Sequence, residues 1–317
     1  MFWPLVKKVL VDTEKAMLKT ILILLIIFIC VVILTVLESI RENNKFNITE
    51  YKITDNKLPR EFDGYKIVMM SDLHCASYGT DNELLIRAVK DISPDIIILA
   101  GDMIIGSTKR TEENLKSAEF IKKISKSADC YYGIGNHEKR LNADDEMHKE
   151  AWSAYMNAIK SDNDRGNIFI LDNKKKEIIK DGAHINIYGL DLDENYYDRF
   201  SGEKPSVAEL TQILGKNDKS EYNILIAHNP DFFDSYADWG FNLTFSGHVH
   251  GGLVRLPFLG GVISPKLRLF PKYDYGLFKK NNAIMILSNG LGSHSIKLRI
   301  NNIPELVVVK LESGDGI

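Results

Sequence analysis

Apolar residues are arranged along this chain in two ways. One unbroken block lies near the N-terminus, and after it come short apolar runs set between polar, helix-patterned stretches. The block, Ile21 to Leu37, reads ILILLIIFICVVILTVL, and only Cys30 and Thr35 in it are not Val, Ile, Leu or Phe. A core helix would keep a polar face, whereas a segment apolar all round belongs in lipid. At the helix centre such residues favour insertion by roughly 0.3–0.6 kcal/mol each, about 4–9 kcal/mol for the block. Ala16, Met17 and Leu18 extend it to bilayer-spanning length, with Lys19 near enough to the end to snorkel. Glu38-Ser39-Ile40-Arg41 follow, not the small residues of a cleavage site. The sequence therefore predicts an uncleaved single-pass anchor over residues 16–37 behind a tail of residues 1–15. Lys7, Lys8, Lys15 and Lys19 precede the span, and Arg41, Lys45 and Lys52 follow it. That slight positive-inside bias places the rest of the chain on the extracytoplasmic side of the cell membrane.

Residues 38–63 are polar and read as a juxtamembrane connector with one edge strand. Residues 64–317 then form the folded domain, with its sheets starting from about residue 46. Lys66–Met70 is a short apolar run, Asn82–Ile92 has helical spacing, and Ile96–Ala100 is a buried strand pattern after Pro94. Leu115, Phe120, Ile121 and Ile124 fall on one helix face, and Cys130–Ile134 resumes a strand. Alternation of this kind predicts stacked βαβ units. The second half is richer in strands: Ile178–Lys180, Ile185–Leu190, Asn223–Ala227, Leu243–Phe245, Ile284–Leu287 and Leu306–Lys310. The expectation is an α/β domain of two packed sheets.

Composition excludes several classes. The chain has 317 residues, 44% hydrophobic and 26% charged, with a formal net charge of −3. It is neither disordered nor basic enough for a general nucleic-acid binder, so no nucleic-acid partner is expected. Its three cysteines, none in a C-x-x-C pair, make neither a disulfide framework nor a thiolate zinc module.

The chemistry lies where the strands end. Asp72-Leu73-His74, Gly101-Asp102, Gly135-Asn136-His137-Glu138, His228 and Gly247-His248-Val249-His250 each follow a predicted strand. In open α/β sheets that edge is where crevices form. Aspartate, asparagine and imidazole without thiolate suit divalent Mn, Fe or Zn. In D-x-H and H-x-H, alternate residues of an extended segment point the same way and can reach one centre. The glycines Gly101, Gly135 and Gly247 let the backbone turn beside them. Seven ligands suit two ions sharing one carboxylate, a clamp for in-line phosphoryl chemistry.

In this order the five blocks resemble those of the calcineurin-like metallophosphoesterases. The resemblance implies a four-layer α-β-β-α sandwich, two mixed sheets flanked by helices, and two divalent ions (Mn, Fe or Zn) per chain. By it Asp72, His74 and His250 hold the first ion, Asn136, His228 and His248 the second, and Asp102 bridges them. His137 protonates the leaving oxygen or steadies the phosphate, and Glu138 orients His137. A water bridging such ions becomes hydroxide near neutral pH and attacks phosphorus in line.

A narrower resemblance, to the bacterial membrane-associated YkuE/YaeI-type phosphodiesterases, rests on G-H-V-H-G-G-L-V-R-L-P, Lys272–Gly276, Ser288–Gly292, Arg299 and Pro304-Glu305. It implies a membrane-anchored phosphodiesterase, with a UDP-diacylglucosamine-type pyrophosphatase as the alternative. A nuclease and a non-catalytic scaffold on the same fold are less in keeping with the charge and with the full ligand set. Between Leu253 and Phe278, apolar Leu256, Pro257, Phe258, Leu259, Val262, Ile263, Leu267, Leu269 and Phe270 interleave with Arg255, Lys266, Arg268 and Lys272. This is either an acyl-binding lip for a lipid-linked phosphoester, with Arg255 meeting substrate, or a loop packed on the core. Cys75 borders the site as a spectator. His148 and His184 are expected to be ordinary polar histidines, and His294 stands as a candidate to approach the site.

Overall fold

The computed structural model describes residues 3–161, 166–198, 202–256, 258, 260–263, 269–293 and 297–314. Pro257, Leu259, Lys266, Leu267 and Arg268 of the predicted lip, and His294, lie outside them. A long helix, α1 (Trp3–Asn43), carries the apolar block. Over Asp12–Asn43 it has the length and hydropathy of a membrane span, and its most apolar stretch is wholly unburied. Next come β1 (Asn47–Asp55), β2 (Lys66–Met70), α2 (Glu83–Ile92), β3 (Ile96–Leu99), α3 (Thr111–Ser125) and β4 (Asp129–Gly133). A short α4 (Asn136–Leu141) and α5 (Glu146–Lys160) precede β5 (Ile168–Leu171), β6 (Lys174–Lys180) and β7 (Ala183–Leu190). The second half runs α6 (Val207–Leu214), β8 (Asn223–Ala227), α7 (Phe233–Trp239) and β9 (Leu243–Ser246). A hairpin of β10 (Val254–Leu256) and β11 (Gly260–Ile263) is followed by β12 (Gly276–Lys280), β13 (Ala283–Leu287) and β14 (Glu305–Ser313).

Two six-stranded mixed sheets result, ordered β1-β14-β2-β3-β4-β5 and β12-β13-β9-β8-β7-β6. Their central strands are parallel, as βαβ connections require. Their central runs, such as Ile67–Met70, Ile96–Leu99 and Ile224–Ala227, are continuously apolar because both faces are covered. Ile67 and Met69 of β2 meet Ile224 and Ile226 of β8 in a core between the sheets. The alternate residues Val68 and Met70 pack outward with Leu85, Phe120, Ile121 and Tyr155 of the helices. On the other side Leu225 packs with Leu210, Tyr236 and Trp239. The layers are therefore helix, sheet, sheet, helix, as expected.

Two placements are tertiary in origin. The final strand, β14, lies between β1 and β2, parallel to the first and antiparallel to the second. The connector's predicted edge strand is thus the sheet's outermost member, close to where α1 ends. The helix itself runs past the apolar block to Asn43, and its Ser39 and Glu42 are buried against the domain.

Candidate metal centre

The loops after β2, β3, β4, β8 and β9 converge at one edge shared by the two sheets. Three interlocking groups form there: Asp72 with His74 and His250, His74 with Asp102 and His137, and Asp102 with His228 and His248. Within each, the ligand atoms lie within 4.8 Å of one another. Asp72 Oδ1 is 3.3 Å from His250 Nε2 and 3.7 Å from His228 Nε2, and Asp102 Oδ2 is 3.2 Å from His228 Nε2. Asp102 has its other oxygen occupied, since Oδ1 accepts the His137 backbone N–H at 2.8 Å. Asn136, the first residue of α4, completes the predicted set, and its Oδ1 is buried without a hydrogen-bond partner.

The backbone differs from the sequence expectation. D-x-H and H-x-H are not extended here: Asp72, His74, Asp102, His248 and His250 have φ of 53°, 44°, 54°, 75° and 51°. The strands stop at Met70, Leu99 and Ser246, so these residues sit in tight left-handed turns that aim their side chains into one space. Each such residue costs of order 1–3 kcal/mol, which the surrounding packing must offset. Gly101 shares the left-handed backbone at φ +85°, whereas Gly247 supplies room. A Cβ at Gly247 would come within 1.9 Å of Ser71 Oγ and 2.2 Å of Asp72 Oδ2.

Hydrogen bonds sort the histidines. Nδ1 of His74, His228 and His250 lies 3.3, 2.7 and 3.2 Å from the carbonyls of Ile104, Ala100 and Gly292. A carbonyl only accepts, so each ring donates from Nδ1 and, when neutral, turns an Nε2 lone pair inward. Those lone pairs confront carboxylate oxygens, and His74 Nε2 confronts His250 Nε2 at 3.2 Å. Acceptors facing acceptors at this range repel unless a cation lies among them. The pKa directions agree. Burial works to lower His228, but Asp102 and Asp72 offset it and raise the ring to about 10. Burial likewise opposes ionisation of Asp102, yet His228 and His137 hold it well below the usual carboxylate range. Burial raises Asp72 against the pull of His228, and it lowers His74. The oxygen and imidazole donors and the orphaned Asn136 oxygen fit a divalent cation site.

His137 is built the other way round. The Gly106 N–H donates to its Nδ1 at 2.8 Å, so the neutral ring carries its proton on Nε2, 3.9 Å from Asp102 Oδ2. In the neutral ring its inward atom is therefore a donor.

The Calcineurin-like phosphoesterase family matches residues 65–252, which contain every residue of this centre. The chain belongs to the calcineurin-like phosphoesterase family. It is 28% identical to the uncharacterized metallophosphoesterase YkuE of Bacillus subtilis (strain 168), over 86% of this chain and 87% of that protein. It is 25% identical to phosphodiesterase YaeI of Escherichia coli (strain K12), over 81% and 84%. It is 22% identical to UDP-2,3-diacylglucosamine pyrophosphatase LpxG of Chlamydia muridarum (strain MoPn / Nigg), over 83% and 89%. The protein is a metal-dependent phosphoester hydrolase, and the clustered residues are its candidate ligands.

Within this phosphoesterase, the carboxylate of Glu138, expected to orient His137, joins two loops of the centre. Its carboxylate accepts the N–H groups of Gly135, Asp102 and Met103 at 3.0, 2.8 and 2.8 Å and the Tyr132 hydroxyl at 2.6 Å. It fastens the Asp102 loop to the start of α4, and Gly106 is the group that fixes the His137 ring. Burial, with Asp102 nearby, pushes Glu138 up to about 7. Arg255 bonds Asp274 Oδ2 at 2.9 Å and the Gly251 carbonyl at 3.0 Å, and lies over the Tyr275 ring. These contacts staple the β10–β11 hairpin. In that lip Leu256, Phe258, Leu269 and Phe270 are exposed, not packed on the core. Cys75 borders the site and meets Asn114, while His148 and His184 pair with Asp145 and Glu221.

Sequence reasoning assigned no role to Arg299. This buried side chain donates to the carbonyls of Asn289, Gly290, Gly292 and Asn302. Gly292 in turn receives His250 Nδ1 at its carbonyl and gives its N–H to Asp72. A lone Arg in a C-terminal loop gives no periodic or spacing signal for such a part.

Proposed function

We propose that the protein is a membrane-anchored, dinuclear-metal phosphodiesterase. Asp72, His74 and His250 would hold one ion, Asn136, His228 and His248 the other, and Asp102 both. Such a pair supplies Lewis-acid stabilisation of phosphoryl oxygens and lowers the pKa of water.

The chain's own part is orientation and one proton. The carbonyls of Ile104, Ala100 and Gly292 hold three imidazoles in the ligating tautomer. Gly106 holds His137 in the donor tautomer, with Nε2–H turned toward the same space. That proton can bridge to an equatorial phosphate oxygen or be given to the leaving oxygen. The opposed tautomers, three rings offering lone pairs and one offering a proton, are the single observation that carries the reading. The apolar, unburied run of α1 supports anchoring.

The test is metal content together with turnover of bis-p-nitrophenyl phosphate and p-nitrophenyl phosphate by the full chain in detergent. About two Mn, Fe or Zn per chain with faster diester turnover is expected. A protein that stays metal-free and inactive after reconstitution overturns the reading. Release of the protein from membranes by alkaline carbonate would overturn the anchoring.

A further inference from the structure

The end of α1 is a wall of a cleft beside the candidate metal centre. A cavity of about 620 Å³ lies between Ile40 and Asn43 at the end of α1, the following Asn44, His74 at the centre, and the cations Arg110 and Lys297. That size suits a small-molecule or headgroup site. His74 is one of its residues, with Leu291 and Gly292 of the loop that holds His250, so the cavity borders the candidate metal centre.

Its height relative to a bilayer follows from helix geometry. The apolar run ends at Leu37, and the wall residues lie three to seven positions further on. At about 1.5 Å per residue this is roughly 5–10 Å beyond the run. The polar layer of one leaflet is about 5–8 Å thick, so the wall stands at the level of lipid phosphates.

The relation is fixed by the fold. Ser39 Oγ accepts the Arg299 N–H and donates to the Lys297 carbonyl, both at 3.0 Å. Glu42 Oε2 accepts the Asn302 N–H at 2.9 Å, and Asn43 Oδ1 accepts Ser293 Oγ at 2.7 Å. The same segment pairs on its other side with β10, through Arg255 N–H to the Ile300 carbonyl and Ile300 N–H to the Leu253 carbonyl. The hairpin with exposed Leu256 and Phe258 is thereby held beside the helix end. On another flank of that end, exposed Ile48 and Leu84 accompany Lys45 and Arg87. Exposed apolar side chains among cations are what seats in a headgroup layer.

We propose that this cleft takes the headgroup of a phosphodiester lipid from the leaflet in which α1 ends, with its anionic oxygens received by Lys297 and by Arg110, whose pair with Glu113 at 3.1 Å is half-exposed and open to exchange. The proposal rests on the anchored-phosphodiesterase reading and adds the source of the substrate. It moves lipid recognition from Arg255, whose pair with Asp274 is largely buried, to the end of the anchor.

The experiment uses the full chain, Mn-loaded, in nanodiscs of a neutral galactolipid, with bis-p-nitrophenyl phosphate as reporter. A minor share of phosphatidylglycerol in the same disc is expected to raise the reporter's KM about fivefold or more with kcat unchanged. Oleate at the same disc charge, and glycerophosphoglycerol at the same total concentration, are expected to leave KM within about twofold. Arg110→Glu with Lys297→Glu should remove most of the phosphatidylglycerol effect, whereas Lys90→Glu, an exposed cation on α2, should keep it. Should the double reversal not fold, Arg110→Gln with Lys297→Gln reads the same contrast. No effect of phosphatidylglycerol, an equal effect of oleate or of the chain-free headgroup, or undiminished inhibition in the cation variants overturns the cleft proposal while reporter turnover persists. Absence of turnover in galactolipid discs with Mn, Fe and Zn overturns the phosphodiesterase reading, and the proposal with it.

Discussion

Whether a backbone N–H or a carbonyl meets Nδ1 separates His137 from His74, His228 and His250, and that difference can be measured. His137→Ala should retain metal and lose roughly 10²–10⁴-fold in kcat, the usual range for a removed general acid. Metal analysis beside steady-state kinetics checks it: loss of metal would make His137 a ligand, and unchanged turnover would leave it no role. His228 gives the complementary prediction. Between two carboxylates its pKa is about 10, so metal-stripped protein keeps that proton through neutral and mildly alkaline pH. Ligation needs the neutral ring, so metal uptake should release about one proton per chain, and affinity should fall about tenfold for each unit the pH drops. Calorimetry in buffers of different ionisation enthalpy would detect the proton, and pH-independent affinity would exclude it.

At the scale of elements, the centre is made by strand ends that stop early and turn hard. Gly247 makes the clearest case, because its missing Cβ is the space that Ser71 and Asp72 occupy. Gly247→Ala should destabilise the fold by roughly 1–3 kcal/mol and displace Asp72, weakening metal binding. Thermal unfolding with and without added Mn checks this, since a smaller metal-induced rise in Tm is expected than for the unsubstituted protein. An equal rise would mean that Asp72 keeps its place. The strand positions themselves were legible. Ile67–Met70 and Ile224–Ala227 are apolar without alternation, which specifies cover on both faces. The left-handed turns after them were not, because aspartate and histidine carry no local preference strong enough to announce φ above zero.

Across the whole molecule, the end of α1 and the centre are joined through Ser293 and residues 297–302. A chain beginning at residue 46 would lose Ser39, Glu42 and Asn43 and leave the Arg299 and Asn302 N–H groups without these partners. Lost bonds of this kind cost about 1 kcal/mol each, and 1.5–3 when charged. For a domain of this size that corresponds to a Tm lower by about 5 °C than for a chain beginning at residue 38. Equal melting temperatures for the two chains would mean that the helix end does not brace the Arg299 loop.

What the sequence determined by itself was everything written in short-range pattern: the apolar block of residues 21–37, the period of the strands, and five ligand-bearing blocks in order at strand ends. Periodicity and ligand spacing are local, so hydropathy and ligand chemistry suffice to read them. Tertiary structure decided what depends on residues distant in sequence. It set β14 between β1 and β2, closed Arg299 over the loop that holds His250, and put the last turn of α1 against the cleft. It also assigned the tautomers. A histidine becomes a ligand or a proton donor according to whether a carbonyl or an N–H meets its Nδ1, and that partner comes from a different loop.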